Sequence, residues 1–327
     1  MKRMTKVLVL LLVAVLVATA AILLLRGKKQ PTLGILQYVQ HPALDAAREG
    51  FLKALADEGY VAGKNIRIDY QNGQGSQDTC SSIADKFIAD KVDLVLGIAT
   101  PSVLAMAGKT ETIPILGTAV TDYVEAKLVQ SNEAPGYNVS GTTDMNPVEA
   151  QIAMILRLVP DVKTIGVIYT GSEVNSQLQA RLAKAEIERL GLSYKEITVN
   201  NSNDVQQAMT AIVANCDALY IPTDNVLASA MPIVYEVALG AKVPVVAGDG
   251  NMVLQGGNFT LAIDYGKLGY QTGKMAVSVL RDGAKVSKMP IQRQSEYNYY
   301  INKTANDAMG IVIPDDLLPY ATEMKTP

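Results

Sequence analysis

A chain of 327 residues, 49% hydrophobic and 19% charged, is long enough for two globular lobes with a core in each. Its net charge of −3 understates the acidity of the body, because residues 1–29 hold Lys2, Arg3, Lys6, Arg26, Lys28 and Lys29 and no acid. An acidic body argues against nucleic acid as a partner, since neutralising phosphates needs a basic face, and one histidine with two distant cysteines gives poor support for a metal site.

From the N-terminus, Val7 to Leu25 carries no charge and has basic residues on both sides. As a helix it would be about 28 Å long, close to one bilayer core. Ala18-Thr19-Ala20 fits a signal-peptide cleavage site, whereas Ile22-Leu23-Leu24-Leu25 continues the apolar run to Arg26 as an uncleaved anchor would. The segment has no cysteine to carry a lipid. On either reading the body is expected on the extracytoplasmic face of the cell membrane, anchored by residues 7–25 or released after cleavage.

Strands are expected near Leu33–Leu36, Ile66–Tyr70, Val92–Ile98 and Ile115–Ala119, with helices near Ala43–Asp57, Gln77–Ala89 and Val103–Lys109 between them. The same series then recurs. Strands are expected near Ile165–Tyr169, Tyr194–Val199, Ala218–Ile221 and Val243–Ala247, and helices near Ser176–Leu190, Asp204–Ala214 and Val226–Ala238. Gly34 pairs with Gly166, Asp93 with Asp217, Thr100 with Thr223 and Pro114 with Pro244. Alternating strands and helices predict two similar α/β lobes, each a doubly wound parallel sheet with helices on both faces.

Crossovers are expected at Tyr137–Asp144, before Asn146-Pro147 opens a helix, and at Thr260–Tyr265, before a helix over Gly269–Leu280. Ser295–Ile301 reads as a strand and Pro314–Ala321 as a terminal helix. The expected organisation is a membrane segment at 1–30, one lobe at 31–145 plus about 266–290, and another at 146–265 plus about 291–327. Cys80 and Cys216 fall in different lobes and are expected unpaired and buried.

In parallel α/β sheets, ligands bind beyond the carboxyl ends of the strands, where helix N-termini converge. Short polar loops stand there in both halves: Gln37 to Asp45, Thr100-Pro101-Ser102, Thr121-Asp122, Thr170 to Ser176, Thr223-Asp224-Asn225 and Asp249-Gly250-Asn251. Such residues cap helices, but their recurrence in matching places points to a cleft. The loops carry Asp45, Asp122, Asp224 and Asp249 and no lysine or arginine. That pattern suits a cationic amine, with hydroxyls and helix N-termini at Thr100, Ser102 or Ser176 free for a carboxylate. There is no tryptophan to stack on a sugar, no Ser-His-Asp arrangement, no GxGxxG and no P-loop, so neither an enzyme nor a cofactor is expected.

The segments Gly34-Ile35, Gln37, His41-Pro42-Ala43-Leu44-Asp45, Pro222-Thr223-Asp224-Asn225 and Ile263-Asp264-Tyr265 with Leu268-Gly269 resemble the substrate-binding proteins of ABC transporters. Within these they look like the subfamily associated with tryptophan and other aromatic amino acids. The resemblance spans residues 31–322 and implies the type I periplasmic-binding-protein fold with three crossover strands. It also implies a monomer that closes on an amino acid and hands it to a membrane permease driven by a separate ATPase. On the same basis Gln37 and His41 line the side-chain end of the pocket. Ser102, Thr121 and Ser176 meet the carboxylate, Asp224 or Asp249 holds the amine, and Asn225 and Tyr265 complete closure. An alternative is a sensor domain that presents its ligand to a separate membrane receptor.

Overall fold

The computed structural model describes residues 30–323. Val7–Leu25 therefore lies outside the described residues, and among those no helix is long and apolar enough to cross a membrane.

The first sheet comprises β1 (Thr32–Gln37), β2 (Arg67–Asn72), β3 (Leu94–Ile98), β4 (Ile115–Val120), β5 (Val139–Thr143) and β11 (Gln292–Arg293); β1, β3 and β4 are buried apolar runs, while the edge strands β2 and β11 are polar and partly exposed. Its order is β11-β5-β4-β3-β1-β2, and every pairing is parallel. Helices α1 (Pro42–Asp57), α2 (Gln77–Ala89) and α3 (Thr100–Ala107) follow β1, β2 and β3. Because strands buried on both faces need no polar alternation, β3 and β4 are buried at every position.

The second sheet repeats this with β6 (Thr164–Thr170), β7 (Ser193–Val199), β8 (Ala218–Ile221), β9 (Val245–Ala247) and β10 (Phe259–Ala262). The order β7-β6-β8-β9-β10 matches β2-β1-β3-β4-β5, and β12 (Asn298–Asn302) and β13 (Ala321–Thr322) extend it, β12 running antiparallel to β10. Its helices are α4 (Val148–Leu158), α5 (Val174–Arg189), α6 (Val205–Val213), α7 (Asn225–Ser229), α8 (Met231–Ala241) and α9 (Gly250–Leu254).

The repeated residues have repeated jobs. A Cβ on Gly34 would stand 2.8 Å from the Phe87 ring, and one on Gly166 would stand 2.9 Å from Cys216 Sγ and 3.0 Å from Ile212. In both lobes the first strand thus needs a glycine where a helix presses on it. Asp93 accepts the Thr32 N–H at 2.8 Å, and Asp217 accepts those of Lys163 and Thr164 at 2.8 Å, so each fixes the entry to its lobe's first strand. Both cysteines are free, Cys80 buried and Cys216 only half-buried, the latter a departure from the expectation.

Three connections run between the sheets: after β5, after β10, and between β11 and β12. Val139–Thr143 and Phe259–Ala262 are full sheet strands, so the crossings are confined to the few residues that follow them. After the second crossing α10 (Tyr265–Asp282) starts four residues before the expected Gly269, because Asp264 caps it by accepting the Lys267 N–H at 3.0 Å. This helix lies against α1 without room for side chains between them. A Cβ on Gly269 would come 1.8 Å from Ala47 O, and one on Gly50 would come 2.0 Å from Gly266 O.

Two expected helices differ. Val226–Ala238 is divided into α7 and α8 at Ala230, where Pro232 withholds an N–H and crowds the preceding turn. Pro314–Ala321 is not a helix but a turn, a 3₁₀ turn at Leu318–Tyr320 and the start of β13. Pro319 disfavours helical backbone at Leu318. The last helix is instead α11 (Lys303–Met309), capped by Asn302.

Gly269→Ala forces Ala47 and Gly269 apart and is expected to destabilise the protein by about 1–3 kcal/mol or more. Urea denaturation with wild-type stability for this variant would contradict the close-packed crossing.

Candidate functional site

Parallel strands aim their carboxyl ends at one edge of each sheet, and here the two edges face one another. Between them lies a cavity of about 10 Å³, room for roughly one water. The first-sheet side supplies His41, Leu44, Ala119, Thr121 and Asp144, the second Asn175, Thr223, Asp224, Asn225 and Asp249, and Tyr265 comes from the start of α10. Ala99 (φ 77°) and Ala119 (φ 56°), at the tips of β3 and β4, hold left-handed backbone that a non-glycine residue adopts only at a cost. A larger groove of about 710 Å³, lined by Tyr137, Asn138 and Lys285 among others, lies at the opposite end of the first sheet. It is away from the strand tips, and the Asn138 amide is already spent on Thr110 O and Ile113 O. Size there does not coincide with chemistry.

Four carboxyl groups are buried at the small cavity. Asp144 accepts from Thr121 Oγ1 at 2.9 Å and Tyr265 OH at 2.7 Å. Asp224 accepts from the Thr170 N–H at 2.6 Å, Thr170 Oγ1 at 2.8 Å and the Leu227 N–H at 2.9 Å, which caps α7. Asp249 Oδ1 caps α9 through Asn251 and Met252, at 2.7 and 2.9 Å. Glu173 Oε2 accepts from Asn225 Nδ2 at 2.5 Å, Asn175 Nδ2 at 3.1 Å and the Asn225 N–H at 3.3 Å. None lies more than 2% exposed.

Among the described residues none lining the cavity is a lysine or arginine, and no three potential ligand side chains could hold a metal ion. Burial without a cation pushes all four acids up. Asp249 rises to about 6, with the charge of Asp144 adding to its burial, and Glu173 rises to about 8, with Asp224 adding. Burial drives His41 the other way, down to about 4, so its imidazole is neutral at pH 7.

Seven residues expected at the site line the cavity: His41, Thr121, Thr223, Asp224, Asn225, Asp249 and Tyr265. The other five do not. Gln37 is tied into a rim network, donating to Val39 O and Asp45 Oδ1 at 2.9 Å and accepting from Arg48 at 2.6 Å. Thr100 stands behind Thr121, whose N–H it accepts at 3.4 Å, and Ser102 is wholly buried in the first turn of α3. Asp122 caps the turn at Val124 and Glu125 and borders a separate pocket of about 210 Å³ beside Arg293 and Gln294. Ser176 donates to Thr223 O at 3.3 Å.

Sequence reasoning missed Leu44, Ala119, Asp144 and Asn175 on the wall, and Glu173 and Gln179 behind it. Gln179 bridges the two sides, accepting from Thr223 Oγ1 at 2.8 Å and reaching Thr121 Oγ1 at 3.5 Å. Glu173 and Asn175 stand in a loop already singled out, so weighing its acid would have found them. Asp144 ends an expected crossover, and only the fold shows that this crossover passes the cleft.

Residues 32–325 match the family described as ABC transporter substrate binding protein. A tyrosine-binding protein of Clostridioides difficile is 44% identical over 87% of this chain and 82% of its own length. Among solved structures, an ABC domain from Streptococcus pneumoniae in complex with L-Trp is 36% identical, with a TM-score of 0.87 over 91% of this chain and all of the other. The ligand-free, open structure of a substrate-binding protein with adhesive properties from Clostridium difficile is 43% identical. Its TM-score is 0.68 over 90% of this chain and all of the other.

An acid whose pKa is raised by folding binds more protons native than unfolded, so its contribution to stability falls as pH rises between the two values. For Glu173 that window runs from its ordinary 4.5 to about 8. The ligand-free protein is expected to melt at progressively lower temperature from pH 5 to pH 8, and Glu173→Gln to flatten that fall. A variant melting profile with the wild-type slope would show that Glu173 is not held neutral.

Proposed function

The chain belongs to the ABC transporter substrate-binding protein family, and from that membership we propose that it captures an aromatic amino acid between its lobes and delivers it to a membrane permease. Substrate-binding proteins of ABC importers are extracytoplasmic, and the proposed setting is that face of the membrane, with the protein acting as a monomer. The observation that carries the ligand class is the set of four buried carboxyl groups with no basic side chain beside them. An ammonium group supplies the missing charge, whereas a phosphate or another purely anionic ligand meets repulsion.

The amine is assigned to Asp249. Both oxygens of Asp224 already accept hydrogen bonds from Thr170 or Leu227, while the two cap bonds of Asp249 fall on Oδ1 and leave Oδ2 for a ligand. Thr121, backed by Thr100 at the N-terminus of α3, faces the carboxylate. The tyrosine-binding relative and the L-Trp complex support an aromatic side chain.

Closure is proposed as hinge bending at the three connections between the sheets. A cavity of about 10 Å³ cannot admit an aromatic amino acid, so the lobes must part for entry. The comparison structures support this. The more identical relative, which is open and ligand-free, superposes less well than the less identical one holding L-Trp.

Calorimetric titration with L-tyrosine and L-tryptophan is expected to show binding, with a fall in radius of gyration by small-angle scattering. Asp249→Asn is expected to weaken binding by about 1.5–3 kcal/mol, or roughly ten- to a hundredfold. Stabilisation by a sugar or an inorganic anion, with none by any amino acid, would overturn the ligand class.

A further inference from the structure

Buried polar atoms in folded proteins nearly always have partners, so those without one mark places where something is expected to bind. Four buried side-chain atoms lack a partner among the described residues: His41 Nδ1, Ser102 Oγ, Glu173 Oε1 and Asn175 Oδ1. Ser102 stands apart, near the Cys80 thiol. The other three belong to one hydrogen-bonded cluster, because Asn225 and Asn175 both donate to Glu173 and Asn225 Oδ1 lies 3.4 Å from His41 Nε2.

The direction of each bond fixes what the cluster has left. Asn225 and Asn175 turn their NH₂ groups toward Glu173 Oε2. Asn225 therefore presents its oxygen to His41, which must donate from Nε2 and keeps Nδ1 as a bare lone pair. Asn175 spends its NH₂ on Glu173, Ser176 Oγ and Thr223 O, leaving its oxygen open. Two open acceptors thus stand at the cavity whether or not Glu173 carries a proton, and an ionised Glu173 adds a third.

We propose that His41 and Asn175, oriented by Asn225 and Glu173 behind them, form the subsite that reads the ligand's side chain, and that they read one hydrogen-bond donor at the far end of an aromatic ring. The inference rests on the amino-acid reading given above. The phenol O–H of tyrosine and the indole N–H of tryptophan meet this requirement, and phenylalanine does not. The ammonium belongs to the other grouping of acids, Asp249 with Asp144 and Tyr265, where Asp249 has an oxygen to give. The cavity wall also carries Leu44 and Ala119, apolar surface that suits the ring. Binding of phenylalanine would leave the acceptors desolvated and unpaired, the condition under which a polar site rejects a close analogue most strongly.

The test is a calorimetric comparison of L-tyrosine, L-tryptophan, L-phenylalanine and 3-(4-hydroxyphenyl)propanoate, which is tyrosine without its amine. Wild-type protein is expected to bind tyrosine and tryptophan at least tenfold more tightly than phenylalanine. Asn175→Leu, which removes an acceptor, is expected to bring the tyrosine-to-phenylalanine ratio toward one while keeping the preference for tyrosine over its amine-free analogue. His41→Leu, which removes the other acceptor, is expected to narrow the same ratio. Wild-type affinity for phenylalanine equal to that for tyrosine would overturn the proposal, and needs no variant to fold. Variants that keep the tyrosine-to-phenylalanine ratio but lose selection for the amine would also overturn it, by showing that the cluster holds the ammonium. Failure of wild-type protein to bind any of the amino acids would instead strike the functional reading itself.

Discussion

Four carboxyl groups taken out of water without a cation are the constraint around which the cleft is organised. Each would cost several kcal/mol as a bare buried ion, a cost reduced by donors or by retention of a proton. Both devices are present. Thr170, Leu227, Asn251, Met252, Thr121 and Tyr265 point donors at the aspartates, while Glu173 and Asp249 have their pKa values raised toward or past neutrality. Three of the acids also cap or precede helices, where partial positive charge gathers at the N-terminus. What remains unmet is a full positive charge, and a ligand can bring one.

The fold keeps this arrangement precise by making its supports close-packed. His41 stands at the start of α1 and Tyr265 at the start of α10, and these helices touch backbone to backbone through Gly50, Gly266 and Gly269. Side chains long enough to bend would let the two ends of the cavity drift independently. Glycine contacts remove that freedom and fix the start of α10 against α1 and its histidine. Across the cleft, Gln179 and the Arg181–Glu125 ion pair at 2.5 Å join the two lobes.

The architecture was legible because it rests on local patterns said twice. Alternating apolar strands and amphipathic helices, with Gly34 and Gly166 or Asp93 and Asp217 in matching places, specify each lobe without any long-range contact. The site was half legible. Helix-capping loops at strand ends could be found by position, yet Gln37, Thr100, Ser102, Asp122 and Ser176 turn their polar atoms into the scaffold, and sequence does not show which way a side chain is spent. Asp144 escaped for the opposite reason. Its importance comes from neighbours brought together across many residues, as when Tyr265 donates to it.

Duplication explains why the lobes match and also why their tips should not. A zwitterion with a polar side chain presents three different chemistries, so two identical loop sets would leave one of them unserved. The first lobe supplies a helix N-terminus and hydroxyls around Thr121, with no caps built from buried acids. The second caps α7 and α9 with Asp224 and Asp249 and opens α5 with Glu173. With different chemistry at the two tips, an amino acid touching both lobes would be held better than one touching either alone. That difference in contact is what would make the proposed closure follow the ligand.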